Sequence, residues 1–224
     1  MKKTVLFTLL IVAVLGTQAA AQSLTIGLRG GMNIANASTD ATATASVRQG
    51  LLYGGFIELE VFPPFTFQVG VQFAEKGAKL TVLTPGLPKP NMDVTYQFNY
   101  LEFPINLKLA IGKPSFQVYG TAGITVGTLL KAVGEFGGGE TKDLMATLDK
   151  TAYSFDLGGG LGFQIASHIQ FLIDARYSMG LKNINTSGKD LLSVNSWKAR
   201  DLHLMGGVSY RFGSGNSGFP TGSR

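Results

Sequence analysis

The chain has 224 residues, of which 45% are hydrophobic and only 15% charged, with 30 glycines and 15 phenylalanines; an ordinary soluble domain carries about 25% charged residues. A length of one domain, glycine without a collagen period and a high apolar content exclude fibrous and disordered chains. The absence of cysteine excludes disulfide scaffolds, thiolate metal sites and cysteine nucleophiles, two distant histidines leave little for zinc, and a formal charge of +5 without a basic stripe gives no nucleic-acid footprint.

Lys2 and Lys3 precede an apolar run from Val5 to Leu15, followed by Gly16, Thr17 and Ala19-Ala20-Ala21, which is the order of parts in a secretory signal peptide. The run is about half the ~20 residues that a spanning helix requires. Cleavage after Ala21 is expected, and loss of the two lysines takes the charge from +5 to +3. No later window approaches 18 consecutive apolar residues, so a mature chain that lives in a membrane must cross it as strands.

From Leu24 the apolar residues recur at every second position, the period of a strand. The first run sets Leu24, Ile26, Leu28, Met32 and Ile34 against Thr25, Gly27, Arg29, Gly31 and Asn33. The second sets Ile57, Leu59 and Val61 against Gly54, Phe56, Glu58 and Glu60, and the third sets Phe65 to Phe73 against Thr66 to Gln72. A fourth, from Leu101 to Leu109, opposes Glu102, Pro104, Asn106 and Lys108. The fifth, sixth, seventh and eighth runs cover 116–126, 153–165, 169–179 and 202–212, with Asp156, Asp174, Arg176, His203 and Arg211 on their polar faces. Pro104 cannot donate to a ladder, so a bulge, a bend or a break is expected there. Pro63-Pro64, 112–115 and 167–168 read as tight connections and 36–48, 78–94, 131–150 and 182–199 as long ones. Even strand number, tight turns at one end and long loops at the other predict an all-β fold, an eight-stranded antiparallel up-and-down transmembrane β-barrel over residues 22–212, followed by a flexible tail over 213–224.

Alternation also fits a soluble lipocalin-type barrel, and the composition of the second face decides between the two. A solvated exterior would be about a quarter to a third charged. Here that face is mostly Gly, Ser, Thr, Gln and Asn, with glycines such as Gly27, Gly70, Gly123, Gly158, Gly160 and Gly162 making room in a cramped interior, while the strand centres of the first face are almost free of charge. Aromatics such as Tyr53, Phe62, Phe65, Phe116, Tyr153, Tyr177, Tyr210 and Phe212 gather toward strand ends, as in interfacial girdles. The lumen then receives Arg29, Glu58, Glu60, Glu102, Lys108, Asp156, Asp174, Arg176 and Arg211. These charges must nearly balance in so confined a space. Counting from the tight-turn end puts Arg29, Glu58, Asp174 and Arg176 at similar depth and predicts a salt-bridge network among them that plugs the barrel.

Three stretches, Gly27-Leu28-Arg29-Gly30-Gly31-Met32-Asn33, Tyr100-Leu101-Glu102-Phe103-Pro104-Ile105 and Asp156-Leu157-Gly158-Gly159-Gly160-Leu161-Gly162, resemble the PorT-like outer-membrane β-barrel proteins of Bacteroidetes-type bacteria. The similarity spans residues 23 to 212. It implies an outer-membrane location and an eight-stranded barrel. Most members of that family have no assigned activity and a few are similar to secretion-system components, so an envelope or secretion component is a candidate partner beside the outer-membrane lipids. The family also carries the proline of the Leu-Glu-Phe-Pro pattern. Barrel proteins usually close on a terminal aromatic; here Phe212 closes the last run and a Gly/Ser-rich tail continues to Arg224.

No catalytic site, cofactor or metal is expected. Gly137-Gly138-Gly139 and Gly158-Gly159-Gly160 lack the following Gly-Lys-Ser/Thr and helix of a phosphate loop. His203, Glu102 and Asp156 share the long-loop end of the lumen and could serve a lipid-modifying enzyme, but no serine nucleophile is evident beside them, and a buried, hydrogen-bonded histidine is the default. His168 reads as a solvated turn residue. Lys76, Lys79, Lys89, Lys131, Lys142, Lys150, Lys182, Lys189, Lys198 and Arg200 read as loop cations that keep the tips solvated or meet lipid phosphates, the last loop being the most basic. The stretch Thr39 to Ser46 reads as mobile, and Trp197 as an interfacial anchor. The expected protein is a monomer that is not an enzyme, with a lumen too full for a diffusion pore; a narrow porin-like channel is the rival reading.

Overall fold

The computed structural model describes residues 23–39, 44–83, 91–113, 115–136, 140–146, 148–181 and 197–212. The predicted signal peptide, the tail, residues 182–196 and the side chain of Trp197 lie outside them. The strands are β1 (Leu24–Thr39), β2 (Thr44–Ser46), β3 (Arg48–Phe62), β4 (Phe65–Leu83), β5 (Asn91–Lys113), β6 (Phe116–Phe136), β7 (Glu140–Asp143), β8 (Thr151–Ala166), β9 (Ile169–Gly180) and β10 (Trp197–Phe212). Around the ring the order is β4-β3-β1-β10-β9-β8-β6-β5, and β5 pairs back onto β4. All of these pairings are antiparallel. The result is a closed eight-stranded barrel; β2 and β7 are short additions to the outer ends of β4 and β6. Closure leaves no strand edge open, so the backbone N–H and C=O groups find partners on neighbouring strands, which hydrocarbon demands.

Alternation decides which side chains meet lipid. Leu28 is 72% exposed and Ile111 61%, whereas the interleaved Arg29 is 7% exposed and Lys108 4%. On β10 the outward residues run from Leu202 to Phe212; at about 3.3 Å per residue and a tilt of about 40°, those ten steps make a band about 25 Å tall, the height of an outer-membrane hydrocarbon layer. Toward the long-loop end, outward charged and amide side chains begin only above that band, at Gln49, Glu75, Asn99, Lys131 and Arg200. At the tight-turn end a belt of rings pairs Phe62 with Phe65 (5.0 Å between centroids), Phe116 with Phe163 (5.2 Å) and Tyr210 with Phe212 (4.7 Å). His168 belongs to this belt, stacked 5.7 Å from Tyr210, and is more than a solvated turn residue.

The tight connections fall where the sequence put them. At one of them Gly112 takes a φ of +126°, where an added Cβ would stand 2.5 Å from the Phe116 carbonyl oxygen. The long connections are shorter than read. β1 runs to Thr39, β4 to Leu83, β5 begins at Asn91 and β6 ends at Phe136, so much of 36–48, 78–94 and 131–150 is strand. These extensions form an upright wall above the band. Its inner side is apolar: Ala78, Val94, Tyr96, Phe98, Tyr100, Leu129 and Ala132 pack with Leu144 and Leu148.

Pro104 does not break its strand. β5 is continuous, and the missing donor is absorbed by a gap in the ladder with β4, which passes from Val69↔Ile105 to Gln72↔Glu102 without pairs between. Gly70 lies in that gap, where a Cβ would come within 3.3 Å of the proline ring.

Inward glycines leave the volume that large side chains fill. A Cβ at Gly158 would stand 2.6 Å from Arg176 Cγ, at Gly160 2.5 Å from the Tyr119 ring and hydroxyl, and at Gly162 2.6 Å from Gln170 Nε2. The outward Gly120 has only the Gly158 carbonyl oxygen, at 3.9 Å. Gly158→Ala is therefore expected to destabilise the folded barrel by about 1–3 kcal/mol, whereas Gly120→Ala is expected to change stability by less than about 0.5 kcal/mol, both read from urea unfolding in lipid bilayers. Equal effects of the two substitutions would contradict the assignment of faces.

Candidate functional site

The candidate site is the lumen itself. Its residues arrive there by alternation alone: Arg29 on β1, Glu58 on β3, Gln68, Gln72 and Lys76 on β4, Glu102, Asn106 and Lys108 on β5, Tyr119 and Thr125 on β6, Asp156 on β8, Asp174 and Arg176 on β9, and Asp201 and His203 on β10. All of them are buried. The remaining predicted positions, Glu60 and Arg211, are half-buried at the tight-turn end, where Ser23 Oγ donates to Glu60 Oε2 at 2.9 Å.

The middle of the lumen is organised by an amide. Gln68 Oε1 accepts from Arg176 Nη2 (3.0 Å), Arg29 Nη1 (3.3 Å) and Asn106 Nδ2 (3.3 Å), while Gln68 Nε2 donates to Glu58 Oε1 at 2.7 Å. Two ion pairs flank it. Lys108 Nζ lies 2.9 Å and 3.1 Å from the Glu58 oxygens, and Arg176 holds Asp174 in a fork, Nε to Oδ1 at 2.8 Å and Nη2 to Oδ2 at 2.7 Å. Such forked contacts are the stronger, geometrically specific kind. Tyr119 closes the tier by donating to Asp174 Oδ2 at 3.3 Å and presenting its ring 4.4 Å from Lys108 Nζ; Phe56 lies 5.4 Å beneath the Arg29 guanidinium. β4 and β9 stand four strands apart in either direction round the ring, so the Gln68–Arg176 bond spans the full diameter.

The predicted quartet Arg29, Glu58, Asp174 and Arg176 thus shares one level, but its pairing differs from the expectation. Arg29 makes no salt bridge among the described residues; it bonds to two glutamine side chains, the second being Gln72 Oε1 at 3.0 Å. Glu58 is matched by Lys108, which the depth count had not grouped with it.

A second tier lies nearer the long-loop end. Lys76 Nζ bridges Glu102 Oε1 and Asp201 Oδ2, both at 2.7 Å, and Gln72 Nε2 donates to Glu102 Oε2 at 2.9 Å, tying the two tiers together. Lys76 is a lumen residue on β4 and not the loop cation that the sequence suggested. Asp201 escaped notice because the last run begins one residue later at Leu202. Asp156 accepts from the hydroxyls of Thr125 and Ser154. Both carboxylates considered beside His203 are thus engaged elsewhere; His203 is buried, as expected, and its Nε2 has no hydrogen-bond partner. Among the described residues no cluster of three or more His, Asp or Glu side chains could hold a metal ion.

Comparison with known proteins agrees with this architecture. Residues 20–186 match the family described as outer membrane protein beta-barrel domain, and the chain belongs to that family, which places it in the bacterial outer membrane. No curated protein matches its sequence. Among solved structures, the outer membrane protein OprG from Pseudomonas aeruginosa is similar over 87% of this chain and 99% of its own, with 14% identity and a TM-score of 0.50. Neisserial surface protein A is similar over 84% of this chain and 97% of its own, with 12% identity and a TM-score of 0.49. At such identities the likeness concerns the fold alone.

Removing one member of a buried pair leaves the other uncompensated, at a cost of about 3–5 kcal/mol. Lys108→Met and Glu58→Gln are each expected to destabilise the barrel by about that much, and the double variant by distinctly less than the sum, measured by urea unfolding in bilayers. Additive losses would mean that the two charges do not compensate each other.

Proposed function

We propose that this barrel is a non-conducting outer-membrane protein whose lumen is filled by its own side chains and whose interactions are made from its extracellular face. The observation that carries the reading is the bond across the diameter between Gln68 on β4 and Arg176 on β9, locked by Glu58, Lys108 and Asp174. Small cavities along the lumen among the described residues support it: those of about 30, 10 and 40 Å³ share no lining residue, and each has room for a few waters at most. The middle one lies among Arg29, Glu58, Gln68, Tyr119 and Asp174, so a permeating ion would have to displace the network.

With chemistry and conduction both disfavoured, the remaining work falls to surfaces. The wall formed by β4, β5 and β6 above the hydrocarbon presents Lys79, Lys131 and Glu135 exposed to the outside, Lys131 nearest the membrane. The resemblance to PorT-like barrels favours docking to an envelope or secretion component, in a monomer exported through a signal peptide cleaved after Ala21. A surface lipid-modifying enzyme is the weaker alternative, since Glu102 and Asp156 are bound to Lys76, Gln72, Thr125 and Ser154 and are not free to orient His203.

Planar-bilayer recording of the purified barrel tests the reading. No steady ion current is expected at physiological salt. A sustained current that is altered by Glu58→Gln or Arg29→Ala would establish a conducting lumen and overturn it.

A further inference from the structure

The outer rim of the barrel is electrically lopsided. Between β6 and β10 the first exposed charged residues above the hydrocarbon are cationic: Lys131 on β6, Lys150 just before β8, and Arg200 on β10. The backbone brings the first two to neighbouring strand ends, because the Leu129 amide donates to the Lys150 carbonyl at 2.8 Å, setting Lys150 opposite Leu129, two residues before Lys131. The Leu181 amide donates to the Tyr153 carbonyl at 2.8 Å, and Arg200 stands opposite Met179 in the β9–β10 ladder. With neighbouring strands about 5 Å apart, the three cations span about 15 Å of rim.

Directly beneath them lies an apolar strip. Leu130, Tyr153 and Leu202 are exposed there, and Leu181, 59% exposed, follows the outer end of β9 between Lys150 and Arg200. The acids nearby are turned away or set apart: Asp149 Oδ1 accepts from the Thr151 amide, Asp143 Oδ1 accepts from the Met145 amide, and Glu135 sits four residues farther along β6. The opposite sector, on β3, β4 and β5, has Gln49, Glu75 and Asn99 at the same level, and Glu75 Oε2 accepts from the Leu51 amide.

We propose that the rim sector from β6 to β10 is a docking surface for a phosphate-bearing lipid of the outer leaflet, with Lys131, Lys150 and Arg200 on the phosphate and Leu130, Tyr153 and Leu181 on the acyl chains. Cations held at the level of the headgroups above an apolar strip match an amphiphile with an anionic head, and match neither a soluble anion nor a zwitterionic lipid. In the opposite sector Arg48 is tied to the Lys76 carbonyl and Lys79 stands four residues beyond the anionic Glu75, so the cations gather on the β6 to β10 side and the lipid binds there.

The test uses the mature barrel in mixed micelles containing phosphatidic acid and phosphatidylcholine, with lipid retained per barrel counted by native mass spectrometry. Preferential retention of phosphatidic acid is expected. It should fall about tenfold or more in Lys131→Gln/Lys150→Gln/Arg200→Gln, persist in the charge-keeping Lys131→Arg/Lys150→Arg, and persist in the control Lys79→Gln/Lys113→Gln. All variants are first checked for faster gel migration unboiled than boiled, which reports a folded barrel. Millimolar inorganic phosphate should not displace the lipid. Equal retention of the two lipids, undiminished retention in the triple variant, or displacement by inorganic phosphate would each overturn the proposal.

Discussion

Hydrocarbon against one side of every strand is the constraint from which the molecule follows. It forbids an open sheet edge, so the eight long strands close on themselves. It also forbids charge on the outward face, so each polar side chain of the spanning region is driven to the other. Eight strands enclose a space only as wide as the side chains that fill it. Polar groups gathered there have little water to turn to and must satisfy one another. The inward glycines of β8 follow from the same geometry, since Arg176, Tyr119 and Gln170 take up the volume that their missing side chains leave.

An amide at the centre solves a problem that another charge would worsen. Gln68 accepts from two guanidinium groups and an asparagine while donating to a carboxylate, so it reconciles cations and anions without adding to either. The ion pairs around it do more for register than for stability, because desolvation offsets most of their attraction. Lys108 on β5 reaches Glu58 on β3 past the intervening β4, and Lys76 on β4 reaches Asp201 on β10 over β3 and β1. A slip of one residue on any of these strands would send its charged partner into lipid. The network therefore fixes which pairing is correct as well as filling the lumen.

Period-two alternation made the barrel and its inward charges legible from sequence, and the same signal explains where reading stopped. In β5 the outward residues Leu101, Phe103, Ile105 and Leu107 are apolar within the membrane, but above it the apolar side switches inward, to Val94, Tyr96, Phe98 and Tyr100. The phase reverses at Leu101, so the alternation starts there and the outer part of the strand reads as loop. β6 adds a register shift just after Leu129, opposite Asn99 and Tyr100, beyond which the inward positions change parity to Ala132 and Gly134. Pairing partners were illegible for a different reason. Depth counted along each strand ignores the stagger between strands, so Lys108 and Gln68 were not placed beside Glu58, and Lys76, just past an outward Glu75, read as a loop lysine. Nothing in the local sequence distinguishes Gln68 from Gln72 or Gln117; only the closed ring brings it opposite Arg176.

The native chain has no cysteine, so single cysteines along β10 can each carry a spin label whose collisions with oxygen, which dissolves in lipid, and with a water-soluble nickel chelate are measured in bilayers. The account predicts oxygen accessibility at positions 202, 204, 206, 208 and 210 and protection from both reagents at 201, 203, 205, 207 and 209. Nickel accessibility at the first set would place the apolar face in water and contradict the account at its root.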